Sequence, residues 1–572
     1  MTEWGYYGPR TPYRGMVDEL ANQTSGYLAV DIESVSLDDD TPLCISFSNN
    51  SHEAYYFPWD SPLLPWHLLS NTGVWKIFQN GHFDLAIIEK YKGITTTPVV
   101  DTMIAAQLMG LQPSLYSLAQ VLFGVTLTTI EDLLGKKGKN QLTMLAISEE
   151  TVAKKCTQDT KFTYRTWETL HPFIPWAAFI REMEYMPVLK DMQNRGMRVD
   201  LDALEEHRVR IRKDVDYYEG IAQGMGFNPG SSQQVAAVLQ SRGHYITYNR
   251  ATKNPKLNKD MLRKYYADDF VTQLVLLYRE GKILLSTFIE AIPAKYLQGD
   301  RVYGKINQLA TNSGRTSRSA PNLQNQPEEI RNIWIASEGC TLEDWDLNQI
   351  EMRILAWYIA MWTGDYTMWD VYRQNQVHLS DIHQATQDKV EAILGRHLGK
   401  TDASRRRIAK NINFSSVYLG DEDTLNRRYG IPLDEAIAFQ AAYHAAYPGF
   451  RVLVEMVKQF LHTNGYTETY LGRRRWFLDK LNSGNEYLIA AALREALNHI
   501  IQGTAAEIQK LLQIRAKDYP QINTVHDSTQ FDRPHGMIIP RDMAEDLAPY
   551  RTPMEVKEGN NWRDEVKVGV FG

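Results

Sequence analysis

Asp31 and Glu33 stand two residues apart in the apolar run "YLAVDIESVSL", so on a β-strand both carboxylates leave by one face and can bind one object together. Asp84 in "QNGHFDLAI" and Asp159 in "KKCTQDTKF" could join them from separate elements. Convergent carboxylates of this kind suit two hard divalent cations, because Mg²⁺ and Mn²⁺ take oxygen ligands. A pair of such ions about 4 Å apart clamps a phosphodiester for attack by water. The plainer alternative is that each acid is a solvated strand-end or loop residue.

A second acidic knot lies in "TLEDWDLNQIEMRILAW", Thr341 to Trp357, which sets four carboxylates, an amide pair and an arginine beside an apolar run. Burying unpaired carboxylates is costly, so a cation or a substrate should compensate them. In "RRRIAKNINFSSVYLG", Arg406, Lys410, Phe414 and Tyr418 follow at four-residue steps, each advancing about 40° beyond a full helical turn. They share one broad face, where two cations could grip a triphosphate and two rings could stack on a base. An amphipathic helix with aromatics in the core and cations in water fits such a mixed stripe poorly. "REALNHIIQGTAAE" puts Arg494, Asn498 and Gln502 on one helical face, and "INTVHDSTQF" reads as a strand with His526 and Asp527 at its turn.

The elements that must position these groups follow two grammars. Up to about residue 190 the chain alternates strand and helix, with "YLAVDIESVSL", "PLCISFS", "AYYFPW" and "GVWKIFQN" as strands. From about Glu182 it turns helical, beginning with "EMEYMPVLKDMQNRG", which ends at Gly196. A domain boundary is expected near 185–200. At 572 residues the chain should hold two to four domains, and 43% hydrophobic with 23% charged residues is ordinary for a soluble protein.

The start, "MTEWGYYGPR", lacks a basic flank before an apolar stretch, and no 18 apolar residues run uninterrupted, so neither export nor a membrane span is expected. Cys44, Cys156 and Cys340 form no CxxC pair, which argues against disulfides and zinc and suits a reducing cytoplasm. A net charge of -7 speaks weakly against a nucleic-acid partner. Charge is local, however: the triplets Arg405–Arg407 and Arg473–Arg475 and the run "GKKGKN" from Gly135 could line a groove.

In its acids the first half resembles the proofreading 3'-5' exonucleases, and "KGKNQLT" from Lys137 strengthens the likeness to that domain of bacterial DNA polymerase I. The resemblance implies that Asp31, Glu33, Asp84 and Asp159 are catalytic metal ligands. One position departs from it. The family places a tyrosine four residues before the last aspartate, where it orients the attacking water, and this chain has Lys155. An ammonium beside two divalent cations is repelled, so Lys155 should either turn outward or weaken metal binding.

The second half resembles family A DNA polymerases. "DLNQIEMR", Asp346 to Arg353, matches motif A, the Arg406 to Tyr418 helix matches motif B, and "VHDS" matches motif C with Ser528 where glutamate is common. The resemblance implies that Asp346, the carbonyl of Leu347 and Asp527 bind two Mg²⁺, with Mn²⁺ as the alternative. It also implies that Lys410 acts in catalysis, and that Arg406, Lys410, Phe414, Tyr418, Glu351, Gln349 and His526 contact the nucleotide. Arg315 in "TNSGRTSRSAPNLQNQP", with Arg494, Asn498 and Gln502, would touch primer and template.

The expected fold is α/β: an RNase H-like 3'-5' exonuclease domain at 1–190, then a right-hand polymerase. Its thumb would span 191–300, its palm 301–355 and 466–572, and its fingers 356–465. The expected partners are primer-template DNA and dNTPs, with a phage helicase, primase or single-strand binding protein as further candidates. A monomer in the cytoplasm is expected, in a host cell if a bacteriophage encodes it, as the compact layout without a 5' nuclease region suggests.

Two competing readings remain at this level. A single-subunit RNA polymerase shares the three motifs, but Glu351, packed with Tyr418, should close the space a ribose 2'-hydroxyl needs. A non-catalytic DNA-binding scaffold would be expected to lose metal ligands, yet Asp31, Glu33, Asp84, Asp159, Asp346 and Asp527 are all present.

Overall fold

The computed structural model describes residues 20–36, 39–136, 138, 141–373 and 381–571. Much of "GKKGKN" therefore lies outside the described residues. The chain divides into two compact units. One comprises residues 1–190, 308–315 and 349–514; the other comprises 191–307, 316–348 and 515–572.

In the first unit a five-stranded sheet is built from β1 (Gly26–Ser34), β2 (Pro42–Ser48), β3 (Tyr55–Pro58), β4 (Val74–Phe78) and β5 (Val99–Asp101), in the order β3-β2-β1-β4-β5. β1 runs antiparallel to β2 and parallel to β4. Its side chains alternate between two cores, as a central strand covered on both faces requires. Leu28, Val30 and Ile32 pack with Ile87 and Ile88 of helix α1 (His82–Lys92). Ala29 packs on the other side with Trp167 and Leu170 of helix α3 (Glu149–Leu170). Between these helices in sequence runs α2 (Leu115–Phe123), and after α3 comes α4 (Trp176–Arg195).

The same unit holds α5 (Ile350–Thr363), α6 (Asp402–Val417), α7 (Glu486–Asn498) and α8 (Thr504–Arg515). α7 does not run straight into α8, because residues His499–Gly503 form a wider π-helical turn. Each long helix start is set locally: Ser148 accepts the Thr151 N–H ahead of α3, and Thr401 with Ser404 forms a capping box ahead of α6.

The second unit centres on an antiparallel sheet of β6 (Cys340–Leu347), β7 (Gln521–Val525), β8 (Ser528–Pro534), β9 (Met554–Gly559) and β10 (Val566–Phe571), ordered β7-β8-β6-β9-β10. Its core joins Leu342, Ile522 and Trp562 to Leu204, Ile211 and Val215 of the helix Leu201–Gly224. Among the described residues no helix is long and apolar enough to cross a membrane.

Candidate functional site

The strand pattern delivers the first acid set as its spacing predicts. Asp31 and Glu33 lie opposite Ser46 and Cys44 of β2, on the face of β1 that α3 covers. α3 contributes Asp159, and the first turn of α1 contributes Asp84, whose Oδ1 accepts the Ile32 N–H at 3.1 Å. Burial drives the Asp31, Glu33 and Asp84 carboxyls toward the neutral form. It raises Glu33 to about 7 against the pull of Lys155, and Asp84 to about 8. Asp31 is raised too, by burial and then by Glu33, Asp159 and Asp84, which brings the four acids into one electrostatic cluster.

Asp101 was missed in the sequence. It is fully buried at the end of β5 and accepts the N–H groups of Gly81 (2.7 Å) and Asn80, so it anchors the start of the helix that carries Asp84. An acid directly after an apolar strand in "VVDTM" was the available signal.

Lys155 does not turn outward. It is 3% exposed, and its ammonium pairs with Asp159 one helical turn on and with Glu33 at 3.6 Å, over the Tyr116 ring of α2 at 5.6 Å. Burial alone would lower its pKa, but Asp159 and Glu33 hold it well above the usual lysine value. The Asp31 Oδ2, in contrast, is buried with no hydrogen-bond partner, a donor suited to a divalent cation. Among the described residues no three His, Cys, Asp or Glu side chains converge as a ready metal cage.

In the second unit, β6 and β8 pair so that Asp346 faces Ser528, and the Leu347 N–H donates to the Asp527 carbonyl at 3.1 Å. Asp346 thus stands at the open end of β6 and Asp527 in the adjoining two-residue turn. His526 holds φ 53° there, the left-handed conformation that a two-residue hairpin turn favours at its first position. Asp346 is pushed up to about 7 by desolvation, by Asp344 two residues earlier on the same strand face, and by Asp527. That crowding is what a divalent cation relieves, so the donor set fits one. Asp344 is itself raised to about 6 by burial.

The protein's own arginines answer part of the acidic puzzle in "TLEDWDLNQIEMR". Glu343 is buried against Arg533 (2.6 Å) and Arg541. Glu351, 8% exposed on α5, accepts from Arg315 at 2.8 Å. The Tyr418 hydroxyl reaches the other Glu351 oxygen at 3.5 Å and receives the Gln502 amide at 3.2 Å, with Asn498 at 3.4 Å from Gln502. Residues drawn from separate stretches of sequence therefore form one chain of contacts.

On α6 the expected stripe is present with one change: the helix ends at Val417, and Tyr418 is its cap residue. Arg406 and Lys410 are exposed, while Phe414 and Tyr418 are half-buried. Arg406 is held by Asp381 (2.5 Å), and Phe414 lies 5.7 Å from His383. Gln349 takes φ 52° ahead of α5, and its side-chain oxygen lies 3.4 Å from the Tyr372 hydroxyl. Arg494 is exposed on α7.

Five of the six arginines in the two triplets are ion-paired within the protein, Arg406 through Asp381 as above. Arg405 is bound to Glu391, Arg474 to Glu468 and Arg475 to Glu495. Arg473 is buried on Glu182 of α4, which also takes Lys510 of α8 at 2.6 Å.

Comparison with known proteins gives these sites a family. Residues 202–562, well over half the chain, match DNA polymerase family A. The chain belongs to that family. Residues 13–174 match the 3'-5' exonuclease family, so this family A chain carries an exonuclease domain ahead of its polymerase domain. DNA polymerase I of Chloroflexus aurantiacus is 30% identical over 540 residues, covering 87% of this chain and 55% of that protein. The thermostable DNA polymerase I of Thermus filiformis is 28% identical over 501 residues, covering 83% and 56%. The chain spans about half the length of the curated relatives it matches. The POL domain of Pol1 from M. smegmatis, solved in complex with DNA primer-template and dNTP, shares the fold with a TM-score of 0.80 at 21% identity, covering 97% of this chain and 99% of that one.

Proposed function

We propose that this family A chain is a template-directed DNA polymerase that adds dNTPs to a primer 3' end and removes mispaired ends with its nuclease domain. The observation that carries the polymerase reading is the placement of Asp346 and Asp527 at adjoining strand ends, with Asp346 held above its ordinary pKa. These two carboxylates and the Leu347 carbonyl would hold Mg²⁺. When bound, the metal would lower the pKa of the primer hydroxyl and neutralise charge on the departing pyrophosphate.

The chain's own side chains carry the rest. Arg406 and Lys410 present positive charge to triphosphate oxygens, and Lys410 is placed in the role of proton donor to the leaving group. Phe414 and Tyr418 offer faces to the incoming base and sugar. Glu351, fixed by Arg315, excludes a 2'-hydroxyl by shape. Asn498 and Gln502 read minor-groove acceptors that all correct pairs share, and the exposed Arg494 contacts primer and template beside them. The thumb is assigned to 191–300, the fingers to 356–465 and the palm to 301–355 with 466–572. In the nuclease domain Asp31, Glu33, Asp84 and Asp159 bind and orient the terminal phosphodiester through divalent metal.

A labelled primer on a longer template, incubated with dNTPs with and without Mg²⁺, tests the reading. Extension that needs both template and Mg²⁺ is expected; extension by ribonucleotides at an equal rate would point to an RNA polymerase, and binding without extension to a scaffold.

A further inference from the structure

We propose that Lys155 is a resident counter-cation of the nuclease cluster, standing in place of one divalent ion, so that this site takes a single divalent cation on its Asp31 side. The inference rests on the reading of the acids as a nuclease site and concerns how many ions they take.

The geometry favours a fixed cation over a mobile lysine. Lys155 and Asp159 sit one turn apart on α3, a spacing that keeps their side chains on one face. The ammonium is enclosed on three sides, by Asp159, by Glu33 at 3.6 Å and by the Tyr116 ring at 5.6 Å, and the residue is 3% exposed. A lysine ammonium is a compact, strongly hydrated charge, so it stays in such a place only where carboxylates replace its water. Glu33 Oε1 and Asp159 Oδ2 do so, and Asp159 Oδ1 already accepts from the Gln158 amide at 3.2 Å. A divalent ion seated on the same two carboxylates would lie beside the ammonium in a poorly screened interior, where like charges repel strongly. The Asp31 Oδ2 is buried without a hydrogen-bond partner, which leaves a cation-seeking oxygen on the other side of the cluster. Balance points the same way: an ammonium and one divalent ion offset three of the four carboxylates, and a second divalent ion would leave the cluster positive before any substrate arrives.

Counting ions tests this without measuring turnover. The full chain carrying Asp346→Asn and Asp527→Asn, which removes the polymerase ligands, is titrated with Mn²⁺ and the free ion is read by electron paramagnetic resonance. The count of interest is the part that disappears when Asp31→Asn, Glu33→Gln and Asp159→Asn are added together. One ion per chain is expected with Lys155 in place, and two with Lys155→Met, the second bringing the line broadening of a close Mn²⁺ pair. Lys155→Arg, which keeps the charge, should stay at one. Two ions with Lys155 in place would overturn the proposal and leave the nuclease assignment standing. No ion lost on that triple change in any natively folded variant would overturn both. The count with Lys155 in place does not depend on the Lys155→Met variant, so one or two is decisive even if that variant is unstable.

Discussion

Arg315 donates to Glu351 across 2.8 Å, and both side chains are largely withdrawn from water. The ion pair holds the Glu351 side chain in place, with the Tyr418 hydroxyl on its other carboxylate oxygen, as the proposed sugar filter requires. A steric filter needs such rigidity, because a side chain that can step aside excludes nothing.

Replacing Glu351 with alanine should therefore do two things. Ribonucleotide incorporation should rise by at least about 10-fold relative to dNTP use, the scale of one lost steric contact. The Arg315 guanidinium loses its carboxylate, which should cost about 1–3 kcal/mol. Glu351→Gln keeps the wall and should show the stability loss with little change in sugar choice. Steady-state incorporation of matched rNTP and dNTP, beside denaturant midpoints, checks both; unchanged sugar discrimination in Glu351→Ala would show that the gate lies elsewhere.

Extension and degradation should be separable by mutation. Asp527→Asn should lower primer extension by more than about 10²-fold, as expected when an electrostatic partner of the transition state is removed, and leave 3'-end degradation intact. Asp31→Ala with Glu33→Ala should do the reverse. Single-turnover gels with one labelled primer read both activities, and parallel loss of the two would contradict separate sites.

Chelated protein should become less stable as pH rises. Burial lifts Glu33 to about 7 and Asp84 to about 8, so the folded chain keeps protons that the unfolded chain has already released. Where the folded state binds more protons, stability falls with rising pH, here from about pH 4 up to about pH 8. Divalent cations bind the ionised carboxylates and reverse the trend. Melting temperature in EDTA should drop between about pH 5 and about pH 8, and Mg²⁺ should restore it at the higher value only. A flat profile in EDTA would mean these carboxyls titrate normally.

Glu182 should be a structural hub. It is fully buried, takes Lys510 at 2.6 Å, Arg473, and the Gln308 amide at 2.7 Å, and its carboxyl is held below the usual range by those cations despite burial. Glu182→Gln strands two buried cations and should cost about 3–5 kcal/mol. Adding Lys510→Met should recover part of that loss, since it removes one of the stranded charges. Urea midpoints of the single and double variants test this, and additive losses would show that the pair is not coupled.

Much of the placement of the candidate residues was legible along the chain because its signals are local. Period-two spacing put Asp31 and Glu33 on one face of β1, four-residue steps put Arg406, Lys410 and Phe414 along α6, and "VHDS" made a turn between strands. Spacing also told where regularity should hold, although not that α6 ends one residue before Tyr418 or that α7 loosens into a wider turn at His499.

What the sequence by itself determined, then, is which residues could do chemistry and which share a strand or helix face, since backbone geometry sets those periods within a few residues. Only the tertiary structure decided which charges remain available. Arg473 and Lys510 meet a glutamate about 300 residues away in sequence, at separations of 291 and 328. Arg315 is taken by Glu351, and Lys155 points into the acid cluster instead of out to water. Burial and pairing are properties of what surrounds a side chain in space. No local pattern carries them, so the same arginine or lysine letter can denote a solvated phosphate-binding group or an interior counter-ion, and only the packed chain tells the two apart.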